Sequence, residues 1–565
     1  LIYRPEQVLA AQRKVGMTKD WCRVTIFRLV QVCKSVASKY TRSKVRKKMP
    51  PQYAYIMDEL LHADTEEKKE EYYTAIIEAI EGTGIGEDFI IALCGVIRQC
   101  AINQLHIIGD IFDRGPHADQ VLDELMQYTD VDIQWGNHDI HWMGAACGNW
   151  CCVASVVRAA INYNNFDLLE DGYGINLRPL SVFAAETYRD DPCLRFQPHQ
   201  LDDNVYDPID SALAAKMLKA IAIIQFKLEG QAIARHPEYE MADRDLLSKI
   251  NYEKGTITLK GKSYPLRDTA FPTVDPKKPL ALTPEEEELV RTLARSFTHS
   301  PQLCRHIRYL YNNGSLYKIA NGNLLYHGCI PMEKDGSFTT VEFYGKKRSG
   351  RALLDELETM IREAYYAPEG SKTKENAGDF MWYLWCGKAS PIFAKDRMTT
   401  FERYFVEDKT THAERSDPYY AHVEGPDGRA ACERILREFG LDPARSRIIN
   451  GHVPVRLGNG ESPVKGGGLL YVIDGGISKA YQSKTGIGGY TLISNSHYLA
   501  LAEHRPFAEL RGSAFGQGPK VQIVERFPHR MKVRDTDTGV RLQRDIDELK
   551  QLLAAYRDGE LREGP

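Results

Sequence analysis

Two short, largely apolar runs, each ending in a cluster of polar ligand-type residues, constrain this chain more than any other feature. Residues 105–108 end in Gly109-Asp110 and continue as Ile111-Phe112-Asp113-Arg114-Gly115. Residues 131–135 end in Gly136-Asn137-His138-Asp139. Between them, residues 117–128 carry a helical pattern. The unit reads strand, loop, helix, strand, with polar residues after both strands. In open α/β sheets, that strand end is where sites are built.

The pattern repeats downstream. Residues 323–326 read as a strand before His327-Gly328, 447–449 as a strand before Asn450-Gly451-His452, and 469–473 as a strand before Asp474-Gly475-Gly476. Residues 490–494 are expected to close the sheet. Helices are expected over 21–40, with Val24, Phe27, Leu29, Val30 and Val32 near helical spacing, and over 53–61, 351–366 and 540–556. Residues 150–320 read as mostly helical. The clearest stretch is 212–234, with Ala, Ile and Leu on one face and Lys and Gln on the other. Gly82-Thr83-Gly84-Ile85-Gly86 lacks the spacing of a dinucleotide loop and reads as a linker.

At 565 residues the chain is too long for one compact core, so several domains or one domain with large insertions are expected. A content of 43% hydrophobic and 27% charged residues is ordinary globular composition, and a net charge of −4 argues against a protein that wraps nucleic acid. No apolar run is long enough to span a bilayer and no signal-peptide pattern is visible, so no membrane partner is expected. Twelve cysteines without a C-x-x-C spacing read as free thiols in a reducing compartment. The expected location is the cytoplasm.

The strand-end residues supply a carboxylate, an amide oxygen and two imidazoles as candidate metal ligands, with a third imidazole for acid work. Such a mixed oxygen and nitrogen set suits Mn, Fe or Zn better than Mg alone. A phosphate ester needs its charge neutralised, a nucleophilic hydroxide at neutral pH and an acid for the leaving oxygen. Two metals sharing a carboxylate provide the first two.

Motif by motif, these residues resemble the calcineurin-like phosphoesterases. The resemblance implies that Asp110 bridges two metals and that Asn137, His327 and His452 complete the shell of the second. It makes His138 the general acid, Asp113 the group that orients its ring, and Arg114 the phosphate grip. Trp382-Tyr383-Leu384-Trp385-Cys386-Gly387-Lys388 and Met398-Thr399-Thr400-Phe401-Glu402-Arg403-Tyr404-Phe405 narrow the likeness. So do Thr41-Arg42-Ser43-Lys44-Val45-Arg46-Lys47 and Ile223-Ile224-Gln225-Phe226-Lys227-Leu228-Glu229-Gly230. They resemble the large fructose-1,6-bisphosphatase class of low-GC Gram-positive bacteria, over most of the chain. That family implies manganese, gluconeogenesis and hydrolysis of the 1-phosphate by metal-bound hydroxide.

The expected fold is therefore an α/β metallophosphoesterase β-sandwich flanked by helices, with a large helical insertion. Its expected parts are a helical region at 1–90, core segments at 91–180 and 321–500, a helical insertion at 181–320 and a C-terminal extension at 501–565. Lys388, Arg397 and Arg403, with Lys395, are candidates for gripping the second phosphate of a sugar bisphosphate, against an ordinary salt-bridged surface. The basic run from Arg42 to Lys48 is a candidate for an anionic effector or nucleic acid, against a solvated helix face, which is the expected reading. An oligomer is compatible with the sequence.

One block of the family pattern is missing. An Asp-x-His after the first strand would supply two ligands to the first metal. Asp139-Ile140-His141 has the letters but lies inside the second loop. The chain also begins Leu1-Ile2-Tyr3 rather than with methionine. The expectation is an N-terminally truncated fragment, weakly active or inactive alone. Rival readings are a phosphoprotein phosphatase, whose metal motifs share this spacing, and a non-catalytic regulator lacking the first metal site.

Overall fold

A computed structural model describes residues 1–62, 67–199, 210–456, 459–478, 480–481, 485, 488–504 and 519–561. It contains two compact units, Leu1–His106 with Glu124–Asp132, and Ile107–Asp123 with Ile133–Pro565. No described helix is long and apolar enough to cross a membrane.

The first unit is helical. Its helix Lys19–Ala37 starts where the Thr18 hydroxyl accepts the Trp21 N–H at 3.1 Å. It buries Cys22, Ile26, Leu29, Val30 and Cys33 in a cluster shared with Phe89, Ile90, Leu93 and Cys94 of the helix Gly86–Ala101. Two details differ from the sequence reading. Val24, Phe27 and Val32 face outward, because cysteines and Ile26 occupy the buried stripe. And the glycine-rich segment read as a linker joins helix Glu67–Gly82 to helix Gly86–Ala101, which the sequence reading did not assign. The basic run is tied locally: Arg42 and Arg46 approach Asp58, and the buried Lys48 donates to the Thr129 hydroxyl at 2.8 Å.

The second unit is α/β. Ile133 and Gln134, the second half of strand Val131–Gln134, pair in parallel with Gly314–Ser315. A five-stranded sheet is built around Ile448–Asn450, which pairs in parallel with both Leu470–Val472 and Asn323–Tyr326. Tyr317–Ala320 and Val464–Lys465 flank these two as antiparallel edges. Ile108, Leu324, Leu325, Ile448 and Leu470 share one buried cluster, which also takes in Leu499 and Leu501. Those two come from a separate antiparallel meander of Gly489–Ser494, Tyr498–His504 and Lys520–Arg526. The strand expected to close the main sheet therefore belongs to this meander.

The helix Ser211–Arg235 is buried nearly all round instead of half-solvated. Lys219 pairs with Asp191 and Asp268, and Lys227 with Glu286 at 2.7 Å, so charged heads end on carboxylates while their stems pack in the core. A small antiparallel sheet, Ile250–Asn251, Thr256–Leu259 and Lys262–Pro265, interrupts the otherwise helical stretch that follows. All twelve cysteines are free thiols, and ten of them are buried.

Candidate metal centre

The two loops at the ends of strands Leu105–Ile107 and Val131–Gln134 are held together by one carboxylate. Buried Asp139 accepts N–H donors from Asp110 at 2.8 Å, Ile111 at 2.9 Å and Gly136 at 2.9 Å, with Phe112 farther away at 3.4 Å. Burial, then the charge of Asp110, raises its carboxyl, and the Gly136 and Asp110 amides pull it back. All its partners are donors, which is the environment of an ionised carboxylate. The loops approach so closely that a Cβ at Gly136 would lie 2.1 Å from Asp110 Oδ1. Gly109, at φ +78°, would place one 2.5 Å from the Gly136 nitrogen. Asp110, Arg114 and His452 also sit in the left-handed region, at φ 58°, 57° and 69°. Each costs about 1–2 kcal/mol that surrounding contacts must offset.

Three side chains converge from three strand ends. His327, after Asn323–Tyr326, has Nδ1 2.7 Å from the Ile108 carbonyl. His452, after Ile448–Asn450, has Nε2 2.9 Å from the Phe393 carbonyl. A carbonyl accepts only, so both rings donate outward and turn a lone pair inward. His327 Nε2 then faces His452 Nδ1 at 3.2 Å and Asp110 Oδ2 at 3.2 Å. Three acceptors pointed at one another need a cation or a proton between them. Without a cation a proton serves. Burial lowers His327, but Asp110 beside it holds it up at about 9; burial and that imidazolium push His452 down to about 3. Burial would likewise raise Asp110, yet His327 and His138 hold it well below the usual carboxylate range. The buried Asn137 Oδ1 finds no hydrogen-bond partner among the described residues. An orphaned amide oxygen on the residue before His138, whose N–H donates to Asp110, fits a metal ligand.

His138 lies on the other side of Asp110, in a second group formed with Asp113. Its N–H donates to Asp110 Oδ1 at 3.1 Å, and its Nε2 is 3.0 Å from Asp113 Oδ1. Among the described residues that oxygen makes no aligned hydrogen bond, so the contact is a close approach. Arg114 is sandwiched between Tyr163 and Tyr481, at 4.7 and 4.5 Å from their ring centres.

The structure thus brings Asp110, Asp113, Arg114, His138, His327 and His452 to one place, with buried Asn137 next to His138 in the chain. It pairs the other candidates with carboxylates: Lys388 with Glu240, Arg397 with Asp396 at 3.0 Å and Arg403 with Glu414 at 3.4 Å. Lys395 also pairs with Glu414, yet its charge still bears on His452. Asp139-Ile140-His141 is the sole Asp-x-His in the sequence and does not face the cluster's interior. Asp139 is spent on backbone amides, and the buried His141 bonds the Ser155 hydroxyl.

Three residues carry roles the sequence reading did not assign. Asp139 is one. Trp385, on helix Lys372–Cys386, stacks on His141 at 4.1 Å and meets His138 edge-on at 4.8 Å. Asp474 follows strand Leu470–Val472; burial first, then the charges of Asp110 and Asp113, raises it to about 6. The strand-end position of Asp474 and the aromatic run around Trp385 were the available signals.

An α/β fold that gathers a carboxylate, an amide and two imidazoles beside an acid and an arginine has the equipment of a metal-dependent phosphatase. The family model described as Firmicute fructose-1,6-bisphosphatase matches residues 1–558, and the chain belongs to that family. Among curated relatives, "Fructose-1,6-bisphosphatase class 3 1" of Clostridium beijerinckii is 50% identical over all of this chain and 85% of its own length. "Fructose-1,6-bisphosphatase class 3" of Clostridium tetani is 50% identical with the same coverage. Its namesake from Listeria monocytogenes serotype 4b is 48% identical, over all of this chain and 86% of its own length. No solved structure matches.

Proposed function

We propose that this chain hydrolyses fructose 1,6-bisphosphate to fructose 6-phosphate and phosphate, as a gluconeogenic enzyme of the cytoplasm. Family membership with about half the residues identical across the whole chain supports the substrate. The observation that carries the chemistry is the convergence of His327 Nε2, His452 Nδ1 and Asp110 Oδ2, three atoms that need a cation or a proton between them.

Manganese is the proposed cation, with Asp110, Asn137, His327 and His452 as its ligands. When bound it supplies positive charge to the phosphate and lowers the pKa of water. The remaining roles fall to the protein itself. Arg114, its plane fixed by two tyrosines, grips the phosphate with its fork. His138 holds the proton that the leaving sugar oxygen takes up. Asp113, 3.0 Å from its ring, stabilises the protonated form. Lys388, Arg397 and Arg403 reach the second phosphate only by exchanging their present carboxylates for it. The two site-bearing sheets, with Ile108 in the cluster of Leu324 and Ile448, support a metallophosphoesterase sandwich. An anionic effector would find Arg42, Ser43, Arg46 and Lys47 around one hollow.

The test is phosphate release from fructose 1,6-bisphosphate with Mn²⁺, beside a His138→Ala copy. Release that falls by about 10²–10⁴ in the variant is the expected result. Hydrolysis of a phosphopeptide instead of the sugar would move the protein to a phosphoprotein phosphatase.

A further inference from the structure

Among the described residues, helix Asp537–Arg557 packs chiefly on the short turn Val533–Asp535 that precedes it. Its first turn is anchored: the Thr536 hydroxyl accepts the Gly539 N–H at 3.2 Å, and Asp537 and Asn321 exchange two hydrogen bonds, at 2.7 and 3.0 Å. From Val540 to Arg557 every side chain except that of Ala555 is exposed. A helix of 21 residues with no buried face is marginal in water, because helix stability comes mostly from packing an apolar stripe.

This helix has such a stripe. Leu542, Ile546, Leu549, Leu553 and Tyr556 follow one another at alternating steps of four and three, and each is between 44% and 64% exposed. That is the a/d spacing of a coiled coil, with Leu542, Leu549 and Tyr556 at d, and Ile546 and Leu553 at a. Ile546 at a, between Leu542 and Leu549 at d, is the combination that favours two strands.

We propose that Asp537–Arg557 pairs with the same helix of a second copy of this chain as a parallel two-stranded coiled coil. Charge selects both the partner and the direction. In this register Asp545 takes position g and Lys550 position e, five residues on. A parallel pair therefore sets Asp545 of each copy against Lys550 of the other, twice per dimer. An antiparallel pair would set Gln543, Lys550 and Arg557 against one another, gathering like charge. Among the described residues Lys550 meets a carboxylate at Asp547 alone, through an exposed contact of 3.8 Å that a partner helix can replace.

Sedimentation equilibrium of the full chain, with and without Mn²⁺, tests this. The expected mass is twice the 64.0 kDa of one chain. Ile546→Asp with Leu549→Asp weakens association by at least about 100-fold, since charge enters two successive core layers. Asp545→Lys alone weakens it by roughly threefold to tenfold, and adding Lys550→Glu restores it. Phosphate release stays at the wild-type level in every variant, which reports that the rest of the chain is folded. A monomeric wild type would overturn the proposal, meaning that the chain covers this face itself. So would a dimer indifferent to the two aspartates, or a charge swap no tighter than Asp545→Lys alone.

Discussion

Asp139 makes a single carboxylate responsible for two loops, and its replacement by asparagine measures that. An amide keeps the shape but turns an N–H₂ towards backbone donors, a loss of roughly 2–4 kcal/mol. Asp139→Asn is expected to lower the melting temperature and, because Asp110 and His138 both hang on these loops, to lower kcat as well. A variant with wild-type melting and kcat would show that the loops hold without it. Trp385 acts more gently. Trp385→Phe keeps an aromatic wall beside His138 and is expected to leave kcat within about threefold, whereas Trp385→Ala frees the ring and lowers kcat by roughly tenfold or more with KM little changed. Steady-state kinetics of the pair separate positioning from substrate binding.

Among elements, helix Ser211–Arg235 has most at stake in its buried charges. Lys227→Met leaves Glu286 buried and unpaired, and about 3–5 kcal/mol of destabilisation is expected by denaturant titration. Adding Glu286→Gln, which can still close the Thr283 cap, recovers much of it. The short turn Pro237–Tyr239 is pinned through His236, which bonds Asp379 of helix Lys372–Cys386 and Glu238. Burial alone would lower His236, but the two carboxylates raise it above its ordinary 6.5. A raised histidine contributes stability that is complete below its unfolded value and lost as pH rises through the folded one. The melting difference between wild type and His236→Asn should therefore be largest below pH 6.5 and shrink towards alkaline pH. The strands that bear the site were legible because each pairs a short apolar run with a ligand-type ending, as at Asn323–Tyr326 and His327. Helix Ser211–Arg235 was legible as a helix but not as a buried one, since periodicity sees lysine as solvent-facing and cannot see the aspartates that receive it. The meander and the sheet at Ile250–Pro265 were hidden for a related reason: pairing partners are set by tertiary contacts, which local pattern does not encode. Asp139 was in plain view within its motif, yet its role needed the neighbouring loop's amides.

For the whole molecule, the inward-facing acceptors make metal a stabilising ligand. Mn²⁺ at about 100 times its Kd should add roughly 2.7 kcal/mol and raise the melting temperature, with chelator reversing the shift. Asn137→Ala should shrink that shift, and a shift unchanged in the variant would remove Asn137 from the ligand set.

The buried thiols make each unit a clock for its own opening. Cys22, Cys33, Cys94 and Cys100 lie in the helical unit, and Cys151, Cys152, Cys193, Cys329, Cys386 and Cys432 in the α/β unit. An alkylating reagent reaches them only when the packing around them lets go, so the order in which peptides gain its mass records which unit opens first. Cys151 and Cys152 lie on helix Trp150–Asn162, beside Ser155, which bonds His141. A substrate that tightens the site would slow that pair while leaving the helical unit's four cysteines at their own pace, without any label having been built in.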